Sequence, residues 1–218
     1  MMSDLRLYDY AASGNCYKVR LLLALLDRAY ERVAIDIFAG ETLTDSYARM
    51  NPARSTPVLE VVPDRFLPES NAILLYLAEG TSFLPTERME RAQVVRWLLY
   101  EQTDVIPGVA GLRFRLQTGR LKSDHADATQ RRAAGENVLT ILDHHLAERE
   151  FFVAEQYTIA DIGIYGYTHV AHEAGYDMGR YPAVEAWLKR VAAQPGHIDD
   201  LAPYPPNARL GAGRSVYD

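Results

Sequence analysis

Cysteine is almost missing from this chain. Of 218 residues only Cys16 carries a thiol, so no internal disulfide forms and no cysteine cluster offers a structural zinc site. Long apolar stretches are missing as well. The longest purely apolar run, Leu21 to Leu26, is closed by Arg20 and Asp27, far short of the roughly 20 residues that cross a bilayer. Positive charge is in deficit: 23 basic against 29 acidic residues leave a net charge of −6. That balance argues against nucleic acid or an anionic membrane as partner, because phosphate binding needs clustered cations. Met1-Met2-Ser3-Asp4 has neither a basic region nor an apolar core, so no secretion signal is expected and a cytoplasmic protein is. Hydrophobic residues at 48% and charged residues at 24% exclude intrinsic disorder. At about 150 residues per domain, the length fits one large domain or two small ones.

The chain changes character near residue 80. Leu5-Arg6-Leu7-Tyr8 alternates as a strand does. Val19, Leu22, Leu23 and Leu26 fall at helical spacing within Asn15–Leu26. Val33, Ile35 and Ile37 return to period two within Tyr30–Phe38. This β-α-β unit implies a parallel pair with a right-handed crossover. Pro57–Val62, a turn at Pro63-Asp64 and Phe66-Leu67 predict a hairpin, followed by a helix from Ser70 to Ala78 closed by Gly80. The order β-α-β, then ββ-α, is that of a thioredoxin-like sheet. Beyond a linker at 80–87 the pattern is helical. Arg88 to Leu121 is long with a break near Pro107-Gly108, and Arg131 to Ala147 follows. Thr158-Ile159-Ala160-Asp161 opens another helix as a capping box, with Asp in place of Glu or Gln. Tyr181-Pro182 starts the last helix, which Pro195-Gly196 ends. The expected organisation is an α/β domain over 1–79, an all-α domain over 88–202 and an irregular tail over 203–218.

Three segments of the first half carry chemistry. Tyr8 to Arg20 sets the small polar residues Ser13, Gly14 and Asn15 between a strand end and a helix start. Hydroxyl, amide and backbone N–H groups there face the positive end of a helix, which stabilises an anion such as a thiolate. The plainer alternative is helix capping alone, worth about 1 kcal/mol. Asn51 to Glu60 places Pro57 at the opening of a strand. A cis Thr56–Pro57 bond would turn the Thr56 backbone toward a peptide-like ligand, against a base rate of about 5% for cis X–Pro. In Leu67 to Glu79, Glu69 and Ser70 stand where a helix begins. There a ligand carboxylate can meet the Ser70 N–H and hydroxyl while Glu69 pairs with an ammonium group; simple N-capping is again the alternative.

Together, in this order and spacing, the segments resemble the glutathione-site half of the glutathione transferase family. The match includes Asn51-Pro52-x-x-x-x-Pro57-Val58-Leu59-Glu60 and Glu69-Ser70-x-Ala72-Ile73-x-x-Tyr76-Leu77. Thr158-Ile159-Ala160-Asp161 and Tyr181-Pro182-x-x-x-x-Trp187 resemble its helical half, and the likeness covers roughly residues 4 to 200. The resemblance implies a thioredoxin-like domain plus an all-α domain, a homodimer, and glutathione as co-substrate. Its γ-glutamyl end would meet Glu69 and Ser70, and its cysteinyl backbone would pair with Thr56 beside Pro57. Its thiolate would attack a small apolar electrophile.

Aligned through Val19-Arg20, Ser13 falls in the column of the theta-like catalytic serine, which also holds the reactive cysteine of the omega and beta classes. Ser13 is therefore the first choice of thiol activator. Asn15 is its rival, since some bacterial relatives use an asparagine amide in this loop. Tyr10, at the end of the first strand, is a weaker one. Cys16 lies one turn into the helix, where a thiol packs against the core, so a mixed-disulfide mechanism is disfavoured. Two positions depart from the family pattern. Arg54-Ser55-Thr56 replaces the usual Gly-Lys/Gln-Val, and Gly40-Glu41-Thr42-Leu43 stands where many relatives carry His or Lys. Arg54 is the candidate replacement for the lost contact with the glycyl carboxylate, with a solvated loop charge as the alternative.

The resemblance implies that the long helix bearing Arg113 and Arg115 lines the electrophile pocket. Arg113 and, from the first half, Tyr10 are its candidate residues, with a solvated charge as the alternative for the arginines; Trp97, Tyr100 and Phe114 fit either that pocket or the core. His169, His172 and Glu173 have the spacing of ligands one turn apart, but the His-Glu-x-x-His order is missing, and no metal is expected. The expected activity is transfer of an alkyl or aryl group to glutathione, with detoxification as its setting. On the same fold the alternatives are a glutathione-dependent disulfide reductase or peroxidase, and an isomerase needing Arg113. A non-catalytic stress or protein-interaction member is the alternative of another class.

Overall fold

In the computed structural model of this chain, residues 5–217 are described. The stretch Met1–Asp4, from which no secretion signal is expected, lies outside them. The period-two run at the start becomes β1 (Arg6–Asp9), and the apolar stretch after it becomes α1 (Gly14–Leu25). β2 (Glu31–Ala34) is shorter than the alternation to Phe38 predicts, because Asp36 turns the chain: its Oδ1 accepts the N–H groups of Phe38 at 2.9 Å and Ala39 at 3.1 Å. A short α2 (Asp45–Met50), the hairpin β3 (Val58–Val62) and β4 (Arg65–Pro68), and α3 (Ser70–Ala78) follow. The sheet order is β2-β1-β3-β4, with β1 and β2 parallel and the other neighbours antiparallel. This is the thioredoxin-like sheet expected from the sequence.

α1 is buried over more than its apolar stripe. Leu21, Leu22 and Leu23 are 0% exposed, and so are Lys18 and Arg20. Arg20 survives in the interior because its donors are satisfied. One nitrogen pairs with Asp9 Oδ1 at 2.5 Å, and Nε binds both carboxylate oxygens of Asp200 at 3.0 and 2.8 Å. Arg32 closes the group by donating to Asp9 Oδ2 at 2.6 Å. Burial opposes the charge on Arg20, but Asp200 and Asp9 outweigh it and hold the guanidinium protonated.

The chain divides into two compact units, Met1–Leu77 with Ile198–Asp218, and Ala78–His197. Residues 198–202, assigned to the helical domain on sequence, therefore belong to the first unit together with the tail. The physical reason is local: Asp200 is drawn to Arg20, and the Tyr17 hydroxyl donates to the Ile198 carbonyl at 2.7 Å.

The second unit is helical. α4 (Arg88–Tyr100) does not break at Pro107-Gly108 but winds on as a π-helix, Glu101–Ala110, into α5 (Gly111–Gln117). A proline lacks the N–H and crowds the carbonyl one turn back, which the wider π turn accommodates. Gly108 then packs against α6 (Ala126–Leu146), where a Cβ built on Gly135 would stand 1.9 Å from the Tyr176 hydroxyl. That hydroxyl donates to the Gly108 carbonyl at 2.9 Å. α7 (Ile159–Thr168) opens on the expected capping box of Thr158 and Asp161. Asp161 also accepts from Phe152 N–H and from the indole of Trp187 on α8 (Pro182–Ala192). Full burial pushes its carboxyl up to about 6 against those hydrogen bonds. No helix among the described residues is long and apolar enough to cross a membrane.

Replacing Arg20 by methionine keeps its length and leaves the buried Asp9 carboxylate with Arg32 alone as its cation. The expected cost is about 3–5 kcal/mol of unfolding free energy in urea titrations. A change below about 1 kcal/mol would mean that Asp9 finds water instead.

Candidate functional site

The chain leaves β1 at Asp9, crosses Tyr10, Ala11 and Ala12, and enters α1 at Gly14. Ser13 sits at the helix N-cap with extended backbone, its Oγ 3.4 Å from the Cys16 N–H that donates to it. A serine hydroxyl that accepts in this way keeps its own proton for another acceptor. Asn15 lies half-buried in the first turn, and the Ser70 hydroxyl donates to its Oδ1 at 3.4 Å. Residues 55 positions apart thus bring together the N-terminal ends of α1 and α3, two positive helix ends side by side.

Thr56–Pro57 is cis, and Pro57 is buried at the entrance to β3. The loop before it is braced from inside. Asn51, which is buried, donates to the Ser55 carbonyl at 2.9 Å and to the Ser55 hydroxyl at 3.1 Å, while its own oxygen accepts from Ala53. The Tyr47 hydroxyl also donates to the Ser55 carbonyl at 2.9 Å. Tyr47 was not singled out on sequence, and Asn51 stood there only as the start of the Asn51-Pro52 motif, with no role given. An asparagine ahead of a proline was the available signal, because its side chain mimics a backbone turn.

Glu69 is exposed and holds φ at +72°, in the left-handed region that disfavours a side chain. Such a conformation costs of order 1–3 kcal/mol and persists where the surroundings dictate it, often at ligand clamps. Ser70, next to it, is buried.

Arg54 braces its own surroundings through one nitrogen of its guanidinium. Its guanidinium donates to the carbonyls of Thr42 and Thr44, both at 3.2 Å, which fastens the loop before α2. Thr42 itself is fully buried, and its hydroxyl oxygen has no hydrogen-bond partner among the described residues.

Cys16 is 0% exposed. Its sulfur accepts the Tyr10 N–H at 3.3 Å and is also held by the Thr56 and Ser13 side chains. Burial, followed by the nearby Asp9 carboxylate, pushes the thiol up to about 12. Tyr10 is buried with its ring edge-on to Phe38 at 5.9 Å, and its hydroxyl has no hydrogen-bond partner among the described residues.

Arg113 lies in the second unit. It is 1% exposed and donates from Nε to Glu173 at 2.5 Å, with Gln117 on the same carboxylate oxygen. The guanidinium expected to line a pocket is thus engaged in an internal ion pair. His169 stacks on Tyr165 with ring centroids 4.7 Å apart and bonds to its carbonyl. No group of three potential metal ligands comes together among the described residues.

In the first unit, then, Ser13, Asn15, Thr56 and Ser70 gather around two helix ends and a buried, protonated cysteine. Native protein should leave Cys16 unmodified by iodoacetamide at mildly alkaline pH, while the urea-unfolded chain is labelled stoichiometrically. Rapid labelling of the native state would contradict the insulated thiol.

The sequence profile of the glutathione S-transferase N-terminal domain matches residues 7–82, and that of the C-terminal domain matches residues 97–195. A crystal structure of a glutathione S-transferase from Pseudomonas fluorescens Pf-5 superposes with a TM-score of 0.88 at 40% identity, covering 92% of this chain and 100% of that one. Maleylacetoacetate isomerase of Rhizobium meliloti is 31% identical over 93% of this chain and 100% of its own length. The disulfide-bond oxidoreductase YfcG of Escherichia coli is 26% identical over 94% and 97%.

Proposed function

The chain belongs to the glutathione S-transferase family, and on that premise we propose that it ionises glutathione and transfers the sulfur to a small apolar electrophile. The thiol gives its proton to solvent. The thiolate forms a carbon–sulfur bond, and the leaving group departs with its bonding electron pair. The γ-glutamyl end binds at Glu69 and Ser70 and the cysteinyl backbone at Thr56 beside Pro57, which sets the sulfur near the start of α1.

The observation that supports this most is the meeting of Asn15 with Ser70 at 3.4 Å, beside Ser13 at the helix cap. A thiol starts near pKa 8.5, and lowering it by about two units needs about 2.7 kcal/mol. One hydrogen bond to a charged sulfur supplies about 1.5–3 kcal/mol and a helix N-terminus about 0.3–1. The two together suffice. Cys16 takes no part, because its proton is held firmly. The co-substrate is glutathione, with no metal in the reaction. The setting is cytoplasmic and the assembly a homodimer, both carried by the family membership.

A second activity is favoured by one specific feature. Asn15 is fixed by Ser70 rather than left as a loop amide, and a relative at 26% identity is a disulfide-bond oxidoreductase. In that reaction two glutathione molecules, each ionised in turn, reduce a disulfide and leave as glutathione disulfide, and the protons they release go to the two product thiols. An isomerase that requires a pocket arginine gains no support from Arg113, given its pairing with Glu173.

Kinetics separate the two activities. Ser13→Ala should lower kcat/KM for conjugation of an aryl halide by about 10²-fold, with Asn15→Ala less affected. The reverse ranking, with disulfide reduction abolished in Asn15→Ala and intact in Ser13→Ala, selects the reductase. Conjugation unchanged in Ser13→Ala removes Ser13 as the activator.

A further inference from the structure

The turn that leads to Thr56 is held from two directions at one atom. The Ser55 carbonyl oxygen accepts the Tyr47 hydroxyl and the Asn51 side-chain amide, both at 2.9 Å. Each donor is buried, with 2% of its surface exposed. Asn51 also shapes the turn itself. Its backbone carbonyl accepts the Arg54 N–H at 2.9 Å, its Oδ1 accepts the Ala53 N–H at 3.0 Å, and its amide reaches the Ser55 hydroxyl at 3.1 Å. Tyr47 is fixed in its place by the start of α2, where the Thr44 hydroxyl accepts its N–H and Arg54 grips the Thr44 carbonyl.

A carbonyl oxygen has two acceptor positions, both near the plane of its peptide unit. At Ser55 both are taken, so the two donors set that plane. The cis bond lies one unit later, and the Ser55–Thr56 unit is trans. In a trans unit the N–H points opposite to the carbonyl. The Thr56 N–H is thereby aimed away from Tyr47 and Asn51. Thr56 is half-buried, and neither its N–H nor its carbonyl has a hydrogen-bond partner among the described residues. A backbone donor so placed is completed from outside the chain.

We propose that Tyr47 and Asn51 are positioning residues for glutathione, which clamp the Ser55 carbonyl so that the Thr56 N–H meets the cysteinyl carbonyl of the peptide. This rests on the glutathione reading of the site and adds to it two residues that touch no ligand. Loss of a clamp weakens one neutral hydrogen bond to the ligand. Tyr47→Phe, which keeps the ring, should bind glutathione about threefold more weakly, and Tyr47→Phe with Asn51→Ala about tenfold.

The test is calorimetric titration of wild type and both variants with glutathione and two shorter probes. γ-Glutamylcysteinamide keeps the cysteinyl carbonyl, and γ-glutamylcysteamine lacks the carboxamide that bears it. Neither has glycine, so the pair differs at the contact in question. The variants should lose affinity for glutathione and for the cysteinamide, and bind the cysteamine as wild type does. In conjugation kinetics the loss should fall on KM for glutathione and not on kcat. Equal losses for the two probes overturn the proposal, because Tyr47 then only supports the fold. Undiminished glutathione affinity, or a fall in kcat with KM retained, overturns it as well. Tyr47→Phe decides alone if the double variant does not fold. Failure of the wild type to bind glutathione overturns the functional reading and this proposal with it, whereas wild-type binding with equal losses overturns this proposal only.

Discussion

One buried guanidinium ties three separate parts of this chain to each other. Arg20 on α1 reaches Asp9 at the end of β1 and Asp200 at the start of the tail, with both members of the Arg20–Asp9 pair fully hidden from solvent. A buried ion pair adds little net stability over an apolar alternative, but removing one partner is costly. Its use here is therefore positional. It fixes where β1 stops, where α1 starts and where the C-terminal tail begins its return. The loop between the strand and the helix, which carries Tyr10 to Ser13, spans between two anchored ends. A site that must hold a sulfur within hydrogen-bond reach of one hydroxyl gains from such a frame.

Much of this was legible in the sequence because it depends on short-range patterns. The first period-two run, the Thr158 and Asp161 cap and the Ser70 helix start act over a few residues and appear where those patterns put them, while β2 stops at Ala34, short of its alternation. Side chains whose partners lie far away in sequence were not legible. Arg54 carried no local sign that it would cap the Thr42 and Thr44 carbonyls, nor Arg113 that Glu173, 60 residues on, would take its charge. The course of the tail was not legible for the same reason. Its prolines and glycines describe a chain without regular structure, and such a chain is irregular whether it trails or is strapped down. Only Asp200, Asn207 and Gly213, judged against partners 170 residues or more away, separate the two cases.

The two kinds of sulfur chemistry open to this fold are kept apart by burial. Cys16 is close to the helix end that could ionise it, yet its position inside the first turn, under Tyr10 and beside Thr56, takes away water and sets it near the Asp9 charge. Desolvation and like charge both favour the protonated thiol. On the proposed function, the same helix end serves an outside sulfur through Ser13 and Asn15, so that ionisation falls on a ligand thiol and not on the protein's own.

The central claim is that this site makes a bound thiol into a thiolate. It is tested most directly by following the ultraviolet absorbance of thiolate in glutathione bound to the wild-type protein as pH is raised. The account predicts half-ionisation about two pH units below that of free glutathione, the shift that one charged hydrogen bond and a helix end can supply. Saturable binding with an unshifted thiol would contradict it, leaving a protein that holds the peptide without activating it.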